Sequence, residues 1–266
     1  MAVDYRGLVD DLEGEHRDLE QVLASLGPDD WERDSHAPGW KVRDQCAHLA
    51  YIDEVAAIGL RDVEAFKQSM AEQDGLKYLE RNRARSHEDL LNWWREASSG
   101  LIRDARPVDP KARLPWYGPD MSASSYITAR LMETWSHGLD IVDVVPAERP
   151  DTDRIRHVCM IGVQTRKFSY INRGLEPNDE PVFLDLTLPS GAHWTNGAPD
   201  APSRITGPAS HFCRVAAQRR HLADTALVVE GEAAQSWMDI AQTFAGPPGQ
   251  GRKPGQFPGE NEGDPS

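Results

Sequence analysis

Apolar positions recur at helical spacing through the first two thirds of the chain. Leu8, Leu12, Leu19, Val22, Leu23 and Leu26 line one side of a segment whose other side is charged, and Gly27-Pro28 closes it. After Pro38-Gly39, the positions Val42, Cys46, Leu49, Ala56, Leu60 and Val63 form a second stripe and predict a helix over about 42–66. A third helix starts at Ser86, whose hydroxyl can cap free amides while Asp89 suits the positive N-terminal end. Leu90, Leu91, Trp94, Ala97 and Leu101 make its buried side. The fourth follows Ser122 to Ser125, carries Ile127, Leu131, Thr134, Gly138, Ile141 and Val145 on one seam, and stops at Pro146. A further helix is expected over about 152–172. Long helices with one apolar stripe each are satisfied by packing around a common axis, so residues 1–174 read as a helical bundle.

The pattern then changes period. GLEPNDEP at 174–181 is a linker, and VFLDLTL at 182–188 alternates like a strand before Pro189-Ser190-Gly191 turns it toward His193-Trp194-Thr195. Residues 226–229 form a short strand candidate between helices expected at about 209–220 and 233–244. Residues 180–246 are therefore a small α+β module, too short to be more than marginally stable alone, which is expected to dock on the bundle and share a cleft with it. The fold class is α+β, with a Pro/Gly-rich tail at 247–266 read as a loose or draped extension that offers Arg252 and Lys253 as anion contacts.

Charge narrows the partners. Lys and Arg number 29 against 43 Asp and Glu, a formal charge of −14 that repels nucleic acid and anionic membranes. No apolar stretch is long enough to span a bilayer and the N-terminus has no signal-peptide plan, so a cytoplasmic protein acting on small molecules is expected. Its three cysteines, Cys46, Cys159 and Cys213, are far apart and odd in number, and are read as reduced, packed thiols.

Glu133 and His137 are four apart on the fourth helix, which places their side chains one turn apart on one face, a spacing that suits two ligands of one metal ion. Arg130, Glu133, His137 and Asp140 also alternate in sign, as a solvated, salt-bridged face would. A third ligand would decide between the two. His48 stands mid-helix beside a seam residue, with Asp44 one turn before it as a candidate partner for its second ring nitrogen and Asp53 five positions after it. Cys46 is rejected as a ligand because two positions on a helix diverge by about 200°. Gly138 permits close approach of a backbone or ligand.

GWKVRDQCAHLAYID together with METWSHGLDIVD resembles the metal-binding pattern of the mycothiol-dependent maleylpyruvate isomerase family, within the DinB-like superfamily of four-helix metalloproteins. The likeness covers about residues 8–145. It implies a DinB-like bundle, a divalent ion, usually zinc, held by His48, Glu133 and His137, and a small α+β domain after the bundle. The C-terminal segment from Arg204 to Arg252 is similar to an actinobacterial subgroup and departs from the isomerase itself.

Two histidines and one carboxylate leave a coordination position open, which is the catalytic kind of zinc site. A thiol bound there loses its proton, and in the isomerase such a thiolate is thought to add to an activated double bond, allow rotation and leave. The resemblance thus implies mycothiol as cofactor or co-substrate, and isomerisation or S-transfer on a small, anionic molecule. A bound water would instead make a hydrolase, the same donor set matches non-haem iron oxygenases, and a fourth protein ligand would make a non-catalytic binding or accessory protein. An anionic substrate needs cations. Arg81, Arg83 and Arg85 precede the third helix, and Arg219 and Arg220 end a C-terminal one; Arg83 and Arg220 are the candidates for catalysis, and Arg219 with Tyr117 for holding the cofactor. Trp116 could line the pocket beside Tyr117, whereas Trp93 and Trp94 read as core. His221, His193, His211 and His157 are equal candidates for acid–base work. No Gly-rich phosphate loop follows a strand, and neither Ser125 nor Ser136 has a nucleophile-elbow setting. Oligomeric state is left open.

Overall fold

A computed structural model describes residues 4–72, 77–116 and 120–257, and the chain divides into two compact units, Met1–Arg149 and Pro150–Ser266. The first unit contains helices α1 (Tyr5–Ser25), α2 (Pro28–Trp31), α3 (Val42–Arg61), α4 (Val63–Glu72), α5 (Lys77–Asn82), α6 (His87–Ala105) and α7 (Ala123–Val142). A two-stranded antiparallel ribbon, β1 (Arg113–Leu114) and β2 (Met121–Ser122), precedes α7. The four long helices follow the apolar stripes closely. Ser86 caps α6 by accepting the Asp89 amide at 3.0 Å, and Ser122 caps α7 by accepting that of Ser125 at 3.1 Å. The second stripe is broken where one helix was expected: Asp62 is extended, and its carboxylate accepts the amides of Glu64 and Ala65 at 3.0 Å, starting α4 afresh.

Each of α3 and α1 packs against both α6 and α7, which closes a four-helix bundle. Leu19, Val22, Leu23, Leu49, Leu90, Trp94 and Ile141 belong to one buried apolar cluster in it. A polar knot crosses the interior, with one residue from each long helix. Arg130 of α7 donates from Nε at 3.0 Å and Nη2 at 2.9 Å to Asp53 Oδ1 of α3, while Trp94 of α6 donates from Nε1 to Asp53 Oδ2 at 3.3 Å. His16 of α1 lies edge-on to Trp94 with its Nε2 3.4 Å from Asp53, and burial depresses its pKa. At the surface, Glu32 collects Lys41, Arg43 and His87 at 3.0, 2.5 and 2.9 Å.

The second unit holds a 3₁₀ turn (Asp153–Ile155), α8 (Arg156–Gln164), α9 (Arg166–Asn172), β3 (Val182–Thr187), β4 (His193–Asn196), β5 (Ser203–Pro208), α10 (Ala209–Ala216), β6 (Val228–Glu230) and α11 (Glu232–Met238). Its sheet runs in the order β4-β3-β5-β6, antiparallel except for the parallel β3/β5 pair, whose register sets Leu184 opposite Ile205. Helices α10 and α11 cover the sheet, α8 packs on α10, and Phe212 meets Trp237 edge-on at 5.7 Å in the core. Gly231 holds φ +87° where a Cβ would lie 2.8 Å from the Ser203 Cα, so β6 can close on β5 only with glycine there.

The boundary between units falls at 149/150, ahead of the composition shift at 174–181, and the helix expected over 152–172 is two helices of the second unit rather than an extension of the bundle. The described part of the tail is draped on that unit: Gln242 accepts the Gly249 amide at 3.1 Å, Arg173 donates to the Gly249 carbonyl at 3.0 Å, and Phe257 lies 3.7 Å from the Arg220 guanidinium. Among the described residues no helix is long and apolar enough to cross a membrane.

Candidate metal centre

Helices α3 and α7 bring His48, Glu133 and His137 together, with one ligand atom from each lying within 4.8 Å of the others. The carboxylate is the focus: Glu133 Oε2 is 3.0 Å from His137 Nε2 and 3.7 Å from His48 Nε2. The side chains of His48, Glu133 and His137 retain 16%, 21% and 12% of their surface, so the group is sheltered without being sealed. The solvated-stripe alternative does not hold, because Arg130 and Asp140, the flanking members of the stripe, are each 1% exposed.

Hydrogen bonds fix which nitrogen of His137 carries the proton. Ser35 Oγ donates to the Trp40 carbonyl at 2.9 Å, so its lone pair accepts from Gln45 Nε2, also at 2.9 Å. The Gln45 Oε1 is then left to accept His137 Nδ1–H at 2.6 Å. With that proton on Nδ1, a neutral ring would aim the lone pair of Nε2 at a carboxylate oxygen 3.0 Å away. Two acceptors face one another there, an arrangement that a cation between them satisfies. His48 is anchored likewise, its Nδ1 bonded to the Tyr78 hydroxyl at 2.5 Å, which turns Nε2 inward. Burial, then the neighbouring His137, lowers the His48 pKa to about 4. Burial opposes ionisation of Glu133, but the two histidines set against its carboxylate outweigh it and hold the carboxyl well below its usual range. Both are in the ligating form at neutral pH. Trp40 roofs the group, stacked on His137 at 5.9 Å between ring centroids and edge-on to His48 at 5.2 Å.

Asp44 does not reach His48: its Oδ2 accepts the Lys41 amide at 2.9 Å, closing the N-terminal turn of α3, and its two oxygens take the fork of Arg83, each at 3.1 Å. Arg83 is thus tied to Asp44 and to the Gly39 carbonyl, with 49% of its side-chain surface exposed. Gln45 and Tyr78, the actual partners of the histidines, were missed in the sequence, where the one hint was an uncharged polar residue, Gln45, beside the seam position Cys46. Gly138 admits the Arg149 guanidinium, which bonds the Trp135 carbonyl and Glu15, rather than a ligand. Trp116 packs on Phe66 and Tyr126, and Trp94 is core as expected, whereas Trp93 is more open and bonds Glu54. Tyr117 lies outside the described residues. Arg219 and Arg220 belong to the second unit, where Arg219 Nη1 donates to the Ala217 carbonyl and Arg220 Nη1 to that of Arg219, each at 2.8 Å. Arg220, Arg173, Arg252 and His221 line a cavity of about 570 Å³ there. His221 and His211 accept the amides of Ala223 and Ala226, and His193 pairs with Asp185.

Residues 12–142 match the family described as mycothiol maleylpyruvate isomerase N-terminal domain. Two uncharacterised proteins of Mycobacterium tuberculosis, from strains CDC 1551 and H37Rv, are each 40% identical over 253 residues, covering 92% of this chain and 97% of theirs. Among solved structures, the mycothiol-dependent maleylpyruvate isomerase superposes with a TM-score of 0.57 at 16% identity, and a histidine-to-alanine mutant of it with 0.58 at 14%. Each comparison covers 82% of this chain and 90% of the other. At that identity the likeness establishes the fold.

Proposed function

Because the chain belongs to the mycothiol-dependent maleylpyruvate isomerase family, we propose that it is a divalent-metal enzyme that uses a low-molecular-weight thiol, mycothiol, for isomerisation or S-transfer on a small anionic molecule. The observation that carries this reading is the convergence of His137 Nε2, His48 Nε2 and the Glu133 carboxylate as a three-donor face. A divalent ion held by His48, Glu133 and His137, zinc by the family's habit, would supply an open position at which a thiol is presented as thiolate. The chain's own groups set up that position. Gln45 keeps the proton of His137 on Nδ1, Tyr78 orients His48, and Trp40 covers both rings and limits the approach of water. Arg83 and Arg220 are the candidates for contact with the anion, and Arg219 and Tyr117 for the thiol cofactor.

The test is elemental analysis of protein purified without chelators, followed by thiol-dependent turnover of an unsaturated diacid. The expected result is about one equivalent of zinc in the wild type, lost in Glu133→Ala and His48→Ala without unfolding. A protein that keeps its metal yet neither binds nor turns over with any small thiol overturns the thiol half, and turnover without thiol marks a metal-dependent hydrolase instead.

A further inference from the structure

Cys159 on α8 and Cys213 on α10 are 54 positions apart in the chain, yet their Sγ atoms lie 3.4 Å from each other, with both side chains fully buried. The spacing of the cysteines along the sequence gave no sign of this contact. The chain between them passes through α9, β3, β4 and β5, so the two sulfurs stand at the ends of a loop that contains most of the sheet. The third thiol, Cys46, is equally buried in the first unit, where its Sγ faces the Leu90 carbonyl at 3.9 Å.

We propose that Cys159 and Cys213 are a redox-active dithiol, oxidised by a hydroperoxide to an intramolecular disulfide that locks α8 to α10. In the first step one sulfur attacks a peroxide oxygen, the O–O bond breaks, and hydrogen peroxide is consumed to give a sulfenic acid and one water. The neighbouring sulfur then attacks the sulfenic sulfur, the S–S bond forms as the S–O bond breaks, and the departing hydroxide takes the second thiol's proton as another water. Two thiols together lose two electrons and two protons, and one peroxide becomes two waters. Closure asks the sulfurs to approach by about 1.4 Å to reach the bonding distance of roughly 2.05 Å. Burial excludes bulky oxidants and makes the reaction slow, and it favours the resident second thiol over a second peroxide as the partner of the sulfenic acid. Cross-linking a long loop disfavours the unfolded chain, so oxidation stabilises the second unit.

The test treats the intact protein with hydrogen peroxide, quenches it, alkylates it in denaturant and maps the peptides without reduction. The expected result is a Cys159–Cys213 linked peptide with Cys46 recovered alkylated. Unfolding of the second unit shifts upward by on the order of 5 to 10 °C, reversed by a reducing agent. In Cys159→Ala, Cys213 should be carried past sulfenic to sulfinic acid, having lost its resolving partner. Sulfinic acid at either residue of the wild type without the linked peptide overturns the proposal, as does recovery of Cys159 and Cys213 no more oxidised than Cys46. The wild-type map decides the matter even if the variant does not fold.

Discussion

Two polar clusters share the bundle and are satisfied in opposite ways. In the knot around Asp53, an anion is matched by the fork of Arg130 and the indole N–H of Trp94, and both charged residues are within 1% of complete burial. Among His48, Glu133 and His137 the outer nitrogens are bonded to Tyr78 and Gln45, while the inner atoms, among the described residues, face one another. A cluster that matches its own charges serves the register of the helices, and this one does so although Arg130 Nη1 and both His16 ring nitrogens make no hydrogen bond among the described residues. One that turns three potential ligand atoms on one another is built for something added. Both draw on α3 and α7, so the closed cluster holds the frame in which the open one is displayed.

The largest effect should come from breaking the closed cluster. Arg130→Met strands a buried carboxylate and is expected to cost about 3–5 kcal/mol in urea unfolding, whereas the double variant Asp53→Leu/Arg130→Met should recover much of that loss. If the double is no more stable than the single, the knot is not an isolated pair. Opening the other cluster should act on metal instead: Glu133→Gln is expected to abolish metal retention in elemental analysis while apo stability changes by less than about 1 kcal/mol. A substitution behind the ligands sharpens this further. Gln45→Leu frees the His137 proton to move between nitrogens, and a competitive chelator titration should show affinity reduced roughly 10- to 100-fold with unfolding little altered. The smallest effect lies outside both clusters. Hydrogen bonds from His87, Lys41 and Arg43 lower the Glu32 carboxyl to about 2 from an ordinary value near 4.5, so its contribution is fully present above about pH 4.5 and is lost as the pH falls toward 2. Glu32 is 40% exposed and solvent screens it, so comparison with Glu32→Gln across that range should show a difference below about 1 kcal/mol that vanishes at the acid end.

How far the sequence could be read depended on whether an interaction is local. The four long helices, the cap at Ser86 and the strand at 182–187 come from periodicity and from neighbours three or four positions away, and the structure has them. Strand β5 was missed, and it is held by parallel pairing to β3, which no short window contains. The failure at Asp44 has a physical cause. An acidic residue in the first helical turn is claimed by the orphan amides there, and Arg83 arrives from 39 positions away to take the rest. The convergence of His48 with Glu133 and His137 was suggested by motif resemblance. The tautomer that makes it meaningful is set by Ser35 and Gln45, whose roles depend on a chain of hydrogen bonds linking the entry loop of α3 to α7.

Trp40 gives the centre an optical handle. Its ring lies against both imidazoles, yet it belongs to the loop entering α3 and supplies none of the three donors. An excited indole in van der Waals range surrenders energy to a charged or redox-active neighbour, so whatever settles between those donors alters the light that this one tryptophan emits. Subtracting the emission of a Trp40→Phe protein separates that signal from the rest of the eight tryptophans and turns occupancy into a colourless, label-free reading.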